Sequence, residues 1–418
     1  METLIKGVTI ADPRSPHFGQ CIDVHVADGR IAAMGPHLPV PKNARIWDEQ
    51  GASLSIGWVD LQADFADPGQ EQKEGLASGA RAAATSGFTH VVLNTSQHPV
   101  PDHKSAIAYL RSRTADFVTH LLPMGTVSQG KRGLQLSEMR DLAEAGAVAF
   151  SDDAPLDRTE LLRRALEYAS GMGRPVITCP LDFGLNAHPM MHEGPTSTVM
   201  GVVGSPHVSE TMRVKRDLDI LRYTGGHLHF SCISAAESVH LLREAKAEGL
   251  NVTSSTSAHH LFFIDEDLAQ FDGALKVMPP FRLASDREAL CQGILDGTID
   301  ALISDHRPED LEHHDVEFAL SPFGLSAIET VFPVALAGMA HLEGGESAVI
   351  RALTEGPRRV LGMELPVLEV GAVADVTWFH LHQHADAAPV SRGVNRATYQ
   401  ERHTAYSGRG RALGILRG

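Results

Sequence analysis

The sequence predicts an α/β protein built around a parallel (β/α)8 barrel with small antiparallel β units at the two chain ends. Between about residues 55 and 355, strand-like and helix-like pieces alternate, as they do in βα units. The strand candidates number eight, which is the number that closes such a barrel. At 418 residues, one barrel with a small companion domain fits the length as well as two or three ordinary domains.

The strand candidates share a short apolar run that ends in polar residues. Helical pieces between them, such as TELLRRALEYASGM, place apolar residues at three- and four-residue spacing, and SAAESVHLLREAKAEG opens like a capping box at Ser234. Longer loops at 183–208 and 307–324 follow the fifth and eighth strands and are expected to overhang the barrel mouth as lids. The strand candidates are 57–62, 89–94, 117–125, 147–153, 175–182, 227–234, 251–257 and 300–306.

Short alternating apolar and polar runs, separated by turn residues, fill residues 4–54 and return from residue 356. Composition is ordinary for a globular protein, at 43% hydrophobic and 21% charged residues, with no run that could span a bilayer. The formal net charge of −16 disfavours nucleic acid and anionic membrane surfaces as partners. The first residues lack the features of a signal peptide, and the four cysteines lack paired spacing. We therefore expect a cytoplasmic protein with reduced thiols.

Polar residues at the strand ends are the candidates for chemistry, because active sites of such barrels lie at the C-terminal ends of the strands. Carboxylates and thiolates are both zinc ligands, so Asp64, Cys179, Cys232 and Asp305 together offer one possible zinc site. The alternative is that both cysteines only fill buried space. The complete set of strand-end candidates is Gln62, Asp64, Asp152, Asp153, Cys179, Asp182, Cys232 and Asp305.

The acidic strand-end residues also have a structural interpretation. Asp152, Asp153 and Asp305 could cap the loops that follow their strands, or could pair with Arg282 or Arg307. For the other histidines, including the pairs at 259–260 and 313–314 and the run at 380–384, we expect surface or core packing.

The stretch GWVDLQADFADPGQEQKEGLASGARAAATSGFT resembles the opening of dihydroorotases, members of the amidohydrolase superfamily. Their pattern is roughly G-x-x-D-x-H-x-H-x-R-x-P-G-x-E-x-K-E, followed by a helix and G-G-F-T. Gln62 and Asp64 stand at the positions of its two histidines, and Ala66 at its arginine. Segments such as LKVMPPFR, DGTIDALISDH and SPFGLSAIETVFP extend the likeness over nearly the whole chain. The matching residues of the opening are Pro68, Gly69, Glu71, Lys73, Glu74, Gly87, Phe88 and Thr89.

The resemblance implies an amidohydrolase-type barrel at 55–355, with one small β domain that both chain ends, 1–54 and 356–418, build together. It also implies a binuclear zinc site, in which Asp305 would bind metal and act as general acid/base. Asp152 and Asp153 match the place of a metal-bridging carboxylate. Residues 62, 64, 179 and 232 stand where the family has its zinc-binding histidines, and none of them is histidine here.

Substrate-binding positions of the family are also changed. Ala66 replaces an arginine, Met278 an asparagine and Glu309 a histidine. A carboxylate at 309 and the missing guanidinium at 66 would repel the anions carbamoyl aspartate and dihydroorotate.

These departures predict a catalytically degenerate dihydroorotase-like protein of pyrimidine biosynthesis that holds no cofactor. The family parallel then suggests a structural role with aspartate carbamoyltransferase as the partner, and we also expect a homo-oligomer. The alternative is an active dihydroorotase or other cyclic amidohydrolase with an altered zinc site, in which Asp305 is catalytic. Apolar residues expected to be exposed in the two long loops, and so to form a partner surface, are Met190, Met191, Val202, Val203, Phe318 and Phe323, beside Arg213, Lys215, Glu309 and Asp310.

Overall fold

The computed structural model of the chain describes residues 2–185, 188–382 and 411–417. Among the described helices, none combines the length and the apolar character needed to cross a membrane. In chain order, the strands of these ranges are β1 Thr3–Ile10, β2 Cys21–Ala27, β3 Arg30–Gly35, β4 Arg45–Asp48, β5 Ser53–Ile56, β6 Trp58–Ala63, β7 Phe88–Leu93, β8 His120–Pro123, β9 Val176–Thr178, β10 Met191–His192, β11 Gly204–Ser205, β12 Leu228–Phe230, β13 Val252–Ser257, β14 Ala301–Ile303, β15 Asp375–His380 and β16 Arg411–Arg417.

The α-helices alternate with the strands of the central part of the chain. Their buried residues follow helical spacing, as in the fourth helix, where Leu161, Leu162, Ala165 and Leu166 face the core. The helices are α1 Leu76–Thr85, α2 Lys104–Thr114, α3 Met139–Ala145, α4 Thr159–Ser170, α5 Pro195–Met200, α6 Val208–Thr224, α7 Ala236–Ala247, α8 Ala284–Asp296, α9 Leu311–His314, α10 Val331–Met339 and α11 Gly345–Leu361.

Two parallel sheets, β6-β7-β8 and β14-β13-β12-β9, form the barrel. The extended segment 148–151 lies between them, since it accepts backbone hydrogen bonds from Gly125 at 3.0 Å and from Ile177 at 2.8 Å. On the opposite side, the Asp64 amide donates to the carbonyl of His306 at 2.8 Å. The parallel strands thus follow one another around a ring in chain order, and the predicted barrel class is confirmed. Side chains that fill the ring include Val59, Leu61, Val92, Met124, Ile177, Cys232, Ala301 and Ile303.

A separate sheet, in the order β16-β15-β5-β1-β2-β3 with β4 beside β1, combines strands from the two ends of the chain. Arg358 of α11 connects this sheet to the barrel, because its guanidinium donates to the Gly57 carbonyl at 2.6 Å and to Asp375 at 2.8 Å. Of the C-terminal part predicted for the small β domain, residues 383–410 and 418 lie outside the described residues, as does part of the 380–384 histidine run.

The two long loops carry short elements of their own, β10, α5 and β11 in the first and α9 in the second. They share an apolar cluster in which Met191 and Phe318 are buried together with Phe263 and Phe281. The prediction that Met191 and Phe318 are exposed is therefore wrong, because the loops fold onto this cluster instead of presenting it to solvent.

The predicted capping box at the start of α7 is also wrong. The N-cap residue is Ala235, and no side chain of α7 caps the helix. Instead, the Glu210 carboxylate of α6 accepts hydrogen bonds from the backbone amides of Ser234 and Ala235 at 3.1 and 3.0 Å. A carboxylate from a neighbouring helix thus stabilises the positive end of the α7 dipole.

Candidate functional site at the barrel mouth

The C-terminal ends of the barrel strands bring most of the predicted residues to one edge of the ring. Gln62 lies at the end of β6 and is 8% exposed. Its amide nitrogen donates to Asp305 Oδ1 at 2.9 Å, and its amide oxygen accepts from the buried Ser231 hydroxyl. Both ends of the amide are therefore occupied, by Asp305 after the neighbouring strand β14 and by Ser231 after β12 across the ring.

Arg307 bridges the carboxylates of Asp153 and Asp305. Its two terminal nitrogens lie 2.7 and 3.0 Å from the two Asp153 oxygens, and its Nε lies 3.0 Å from Asp305 Oδ1. Burial raises the pKa of Asp153, but the charge and hydrogen bonds of Arg307, together with the charge of Lys131, outweigh burial and leave that pKa below its ordinary value. One guanidinium thus serves two carboxylates in a forked geometry, as the pairing expected for Arg307 requires.

Further contacts extend this arrangement to the second strand. Asn94 Nδ2 lies 3.3 Å from Asp153, and the Ser96 hydroxyl lies 2.7 Å from Asn94 Oδ1 and 2.6 Å from Asp64 Oδ1. Asp64 also accepts the Ala66 amide at 2.7 Å. We call the connected side chains the mouth network; they are Gln62, Asp64, Asn94, Ser96, Asp153, Ser231, Asp305 and Arg307.

Asp152 does not join the mouth network. One of its oxygens accepts the backbone amides of Val127 and Ser128 at 2.9 Å, and the other accepts the Ser128 hydroxyl. Burial raises its pKa against these hydrogen bonds. Of the two adjacent aspartates, Asp152 fastens the loop after β8, and Asp153 alone reaches the network.

The two candidate cysteines lie in environments that keep thiols protonated. Burial, with a further contribution from Asp153, raises the pKa of Cys179 to about 12. Cys232 is 3% exposed among the apolar side chains inside the ring, and burial followed by Asp305 raises its pKa well above the ordinary thiol value. Both positions favour neutral, space-filling thiols over thiolate ligands.

The backbone at the mouth adopts an uncommon conformation at several of these residues. Non-glycine residues with positive φ include Ala66 at 56°, Asp153 at 49°, Cys232 at 58° and Asp305 at 45°. Such conformations cost energy and persist where the surroundings hold them in place. No sequence pattern signals them, because all four side chains have a Cβ.

Glu309 belongs to a second polar group in the loop after β14. Within the described ranges, Glu309, Asp310 and His313 are the side chains close enough together to hold a metal ion. Lys73 Nζ already lies 2.8 Å from Glu309, and the His313 ring nitrogen lies 2.6 Å from Asp310. The carboxylate expected to repel anionic substrates thus has a cation beside it.

Arg282, the other expected partner of the strand-end aspartates, pairs elsewhere. Its guanidinium contacts Glu210 at 3.4 Å, the Ser234 hydroxyl at 2.7 Å and the His192 ring at 3.2 Å. Burial, assisted by the neighbouring Arg282 charge, lowers the pKa of His192, which favours the neutral ring. No sequence pattern pointed to Glu210 and His192, since neither stands at the end of a predicted strand.

A binuclear zinc centre of the kind implied by the resemblance needs neutral imidazoles and free carboxylates. The mouth offers an amide at Gln62, two carboxylates already bound to Arg307, the Asp64 carboxylate bonded to Ser96, and two buried thiols with raised pKa, but among these side chains no imidazole. This donor set does not fit such a centre.

Comparison with known proteins identifies the family. The family model described as dihydro-orotase-like matches residues 51–238. A protein of Pelotomaculum thermopropionicum named dihydroorotase is 39% identical over 381 residues, which cover 90% of this chain and 88% of that one. A Geotalea daltonii protein of the same name is 36% identical over 379 residues, or 90% of this chain and 89% of that one.

Solved structures show the same fold at much lower sequence identity. The L-hydantoinase (dihydropyrimidinase) from Arthrobacter aurescens superposes with a TM-score of 0.82 at 18% identity, covering 99% of this chain and 94% of that chain. The dihydropyrimidinase from Brevibacillus agri superposes with a TM-score of 0.77 at 19% identity, covering 100% and 94%. From its barrel, its strand-end motifs and these relatives together, the chain belongs to the dihydroorotase family of the amidohydrolase superfamily.

Proposed function

We propose that this chain is a dihydroorotase-family protein of de novo pyrimidine biosynthesis that has no dihydroorotase activity of its own and serves in the cytoplasm as a structural partner of aspartate carbamoyltransferase. The observation that supports a loss of activity is that the Arg307 guanidinium donates hydrogen bonds to the carboxylates of both Asp153 and Asp305. Asp305 is the residue that would have to move a proton in an active enzyme. Gln62 and Arg307 both contact Asp305 Oδ1, and these contacts give Asp305 a structural role in place of a catalytic one.

The second candidate is an active dihydroorotase, and the named relatives at 36–39% identity favour it. An altered zinc site would have to use Asp64, Cys179, Cys232 and Asp305. Such a site requires that both thiols lose their protons despite burial and that Arg307 leave Asp305. We rank it second because every one of these changes costs free energy before any zinc binds.

Activity measurements separate the two candidates. We expect no conversion of carbamoyl aspartate to dihydroorotate by the wild-type protein, with or without added zinc. We expect the same of the double variant Gln62→His with Asp64→His, because Arg307 still occupies the carboxylates and residues 179 and 232 still lack imidazoles. The matched control is the Pelotomaculum relative assayed in parallel. Turnover by either form of this chain would support the active enzyme.

The two loops over the mouth provide the surface for the proposed partner. Their exposed apolar side chains include Val199 at 89%, Leu320 at 73% and Leu311 at 64% exposure. Of the residues expected on this surface, Val203 and Phe323 are exposed, and Lys215 forms an exposed pair with Glu237. Met190 and Val202 are partly buried against the apolar cluster that the loops share, and Arg213 and Glu309 are buried. Exposed apolar side chains of this kind are typical of protein interfaces.

Co-expression with aspartate carbamoyltransferase of the same organism tests the partnership. Size-exclusion chromatography with mass measurement is expected to show one mixed complex. We expect Val199→Asp with Leu320→Asp to abolish it, and Val118→Asp to leave it intact, since Val118 is 60% exposed but precedes β8 at the opposite end of the barrel. Separate elution, or transferase activity that is independent of this chain, would contradict the proposed role. A peak at twice the chain mass without transferase would indicate a homo-oligomer instead.

A further inference from the structure

We infer that the Arg307 guanidinium is a built-in cation, which supplies at the barrel mouth the positive charge that Asp153 and Asp305 would otherwise take from metal ions. The inference rests on the proposed function, because it explains how a dihydroorotase-family barrel keeps its strand-end carboxylates without zinc. It assigns Arg307 a positioning role for the whole mouth network.

The geometry of Arg307 fits this role. It binds Asp153 through both terminal nitrogens at 2.7 and 3.0 Å and Asp305 through Nε at 3.0 Å. A lysine ammonium could not make this fork, since it is a point charge with no planar arrangement of donors. The guanidinium therefore satisfies in one plane two carboxylates that belong to opposite strands of the ring.

The segment at residues 324–325 packs closely against Arg307. Gly324, at φ +140°, approaches so closely that a Cβ there would lie 2.6 Å from Arg307 Cβ. The Arg307 amide donates to the Leu325 carbonyl at 2.9 Å, which fixes the base of the side chain. A glycine is required at 324 for its backbone conformation and for its close approach to the Cβ and carbonyl of Arg307.

Without Arg307 the two carboxylates would lose the cation that contacts both of them. Asp153 and Asp305 both have positive φ, a conformation that costs energy and that their contacts with Arg307 help to hold. The nearby Lys131, whose Nζ donates to the Thr95 carbonyl at 3.1 Å, also contributes positive charge to Asp153. The removal of Arg307 is therefore expected to create a site with an affinity for divalent cations.

The experiment compares wild type, Arg307→Met and Arg307→Met with Asp153→Asn, each as full-length tag-free protein. Thermal unfolding is followed with chelator and with Zn²⁺ alone, and bound zinc is counted after desalting. We expect that neither chelator nor Zn²⁺ changes the unfolding temperature of the wild type. We expect Arg307→Met to unfold about 2–4 °C lower, to regain part of this loss with Zn²⁺, and to retain zinc that wild type lacks. The added Asp153→Asn change should abolish that gain.

Arg243→Met is the matched control, because Arg243 makes a 2.7 Å ion pair with Asp296 on the exposed surface. It should change neither the unfolding temperature nor zinc binding. Arg307→Met that matches wild type in both readouts would overturn the inference while leaving the proposed function standing. Zinc in the wild type itself, with a loss of stability on chelation, would overturn both.

Arg307→Met could fail to fold, and the double variant then decides. If Arg307→Met with Asp153→Asn folds, the single variant fails because of its uncompensated carboxylate, as inferred. If the double variant is also unfolded, Arg307 is needed for packing, and the inference is overturned.

Discussion

Arg282 and Arg307 are two arginines at the same end of the barrel, and they differ in how far solvent reaches them. The Arg282 and Glu210 side chains are 1% and 0% exposed, whereas Arg307 and Asp153 are 28% and 11% exposed. The sealed pair meets at 3.4 Å, and the open pair at 2.7 Å with two parallel contacts.

The sealed pair is part of the scaffold. Glu210 binds the amides at the start of α7, while Arg282 reaches Ser234 and His192. Together they fasten α6, α7 and the loop that carries β10 around a buried charge. A pair of this kind is expensive to break, because either partner alone would be an unpaired charge out of contact with water.

The open pair lies where the family keeps its chemistry. Arg307 is accessible enough for a competing cation to approach, and its carboxylates come from two strand ends. Burial therefore separates the roles of the two ion pairs. The sealed pair stabilises the fold, and the open pair determines which cation binds the carboxylates at the mouth. Three predictions test this difference between the pairs.

The largest effect is expected from Arg282→Met. Because it leaves Glu210 buried without its counter-ion, we expect a loss of about 3–5 kcal/mol in the free energy of unfolding. Urea denaturation monitored by circular dichroism measures it. Adding Glu210→Gln should recover part of the loss. A loss below about 1 kcal/mol for the single variant would show that the two pairs do not differ as described.

A smaller effect is expected for the open pair. A double-mutant cycle with Arg307→Met and Asp153→Asn should give a coupling free energy of about 1–3 kcal/mol, because the contact is bidentate but partly solvated. The same cycle on the exposed pair of Arg243 and Asp296 should give less than about 1 kcal/mol. Equal coupling in the two cycles would mean that the mouth provides no special environment.

The smallest effect is a change in pH dependence. Burial raises the pKa of Asp153. Arg307 and the charge of Lys131 together lower it by more, so the folded-state pKa lies below its ordinary value. This contribution is present above the unfolded-state pKa of about 3.9 and is lost as the pH falls through the folded-state value. In Arg307→Met the contributions of Arg307 are lost, and burial, the largest single influence on this pKa, is opposed only by the Lys131 charge. The Asp153 pKa should therefore rise, and the variant should gain stability relative to wild type as the pH falls from about 7 toward 4. Parallel stability curves in urea titrations across this range would contradict the assigned pairing.

The fold could be predicted from sequence because the spacing of apolar residues indicates its strands and helices. Alternating apolar strands and amphipathic helices fixed the ring, and the rule for parallel strand ends brought Gln62, Asp153 and Asp305 to one edge. The pairing of Arg307 with the strand-end aspartates was among the alternatives, since an arginine two residues after Asp305 can reach it.

Other features depend on contacts that no local pattern encodes. Asp152 and Asp153 are adjacent and chemically identical, and only the positive φ of Asp153 and the amides near Ser128 decide which one enters the mouth network. Ser234 looked like a helix cap, but a carboxylate from another helix takes that role. The burial of Met191 arises from a cluster shared by two loops distant in sequence.

The central claim, that Arg307 and not zinc provides the positive charge at this barrel mouth, is tested most directly by the zinc content of the wild-type protein. The full-length chain should be purified without an affinity tag, dialysed against metal-free buffer and analysed for elements. We expect no stoichiometric zinc and no change in unfolding temperature on addition of chelator. Two zinc ions per chain, the content of a binuclear site, would contradict it, and one zinc lost on replacement of Cys179 and Cys232 would favour the altered zinc site.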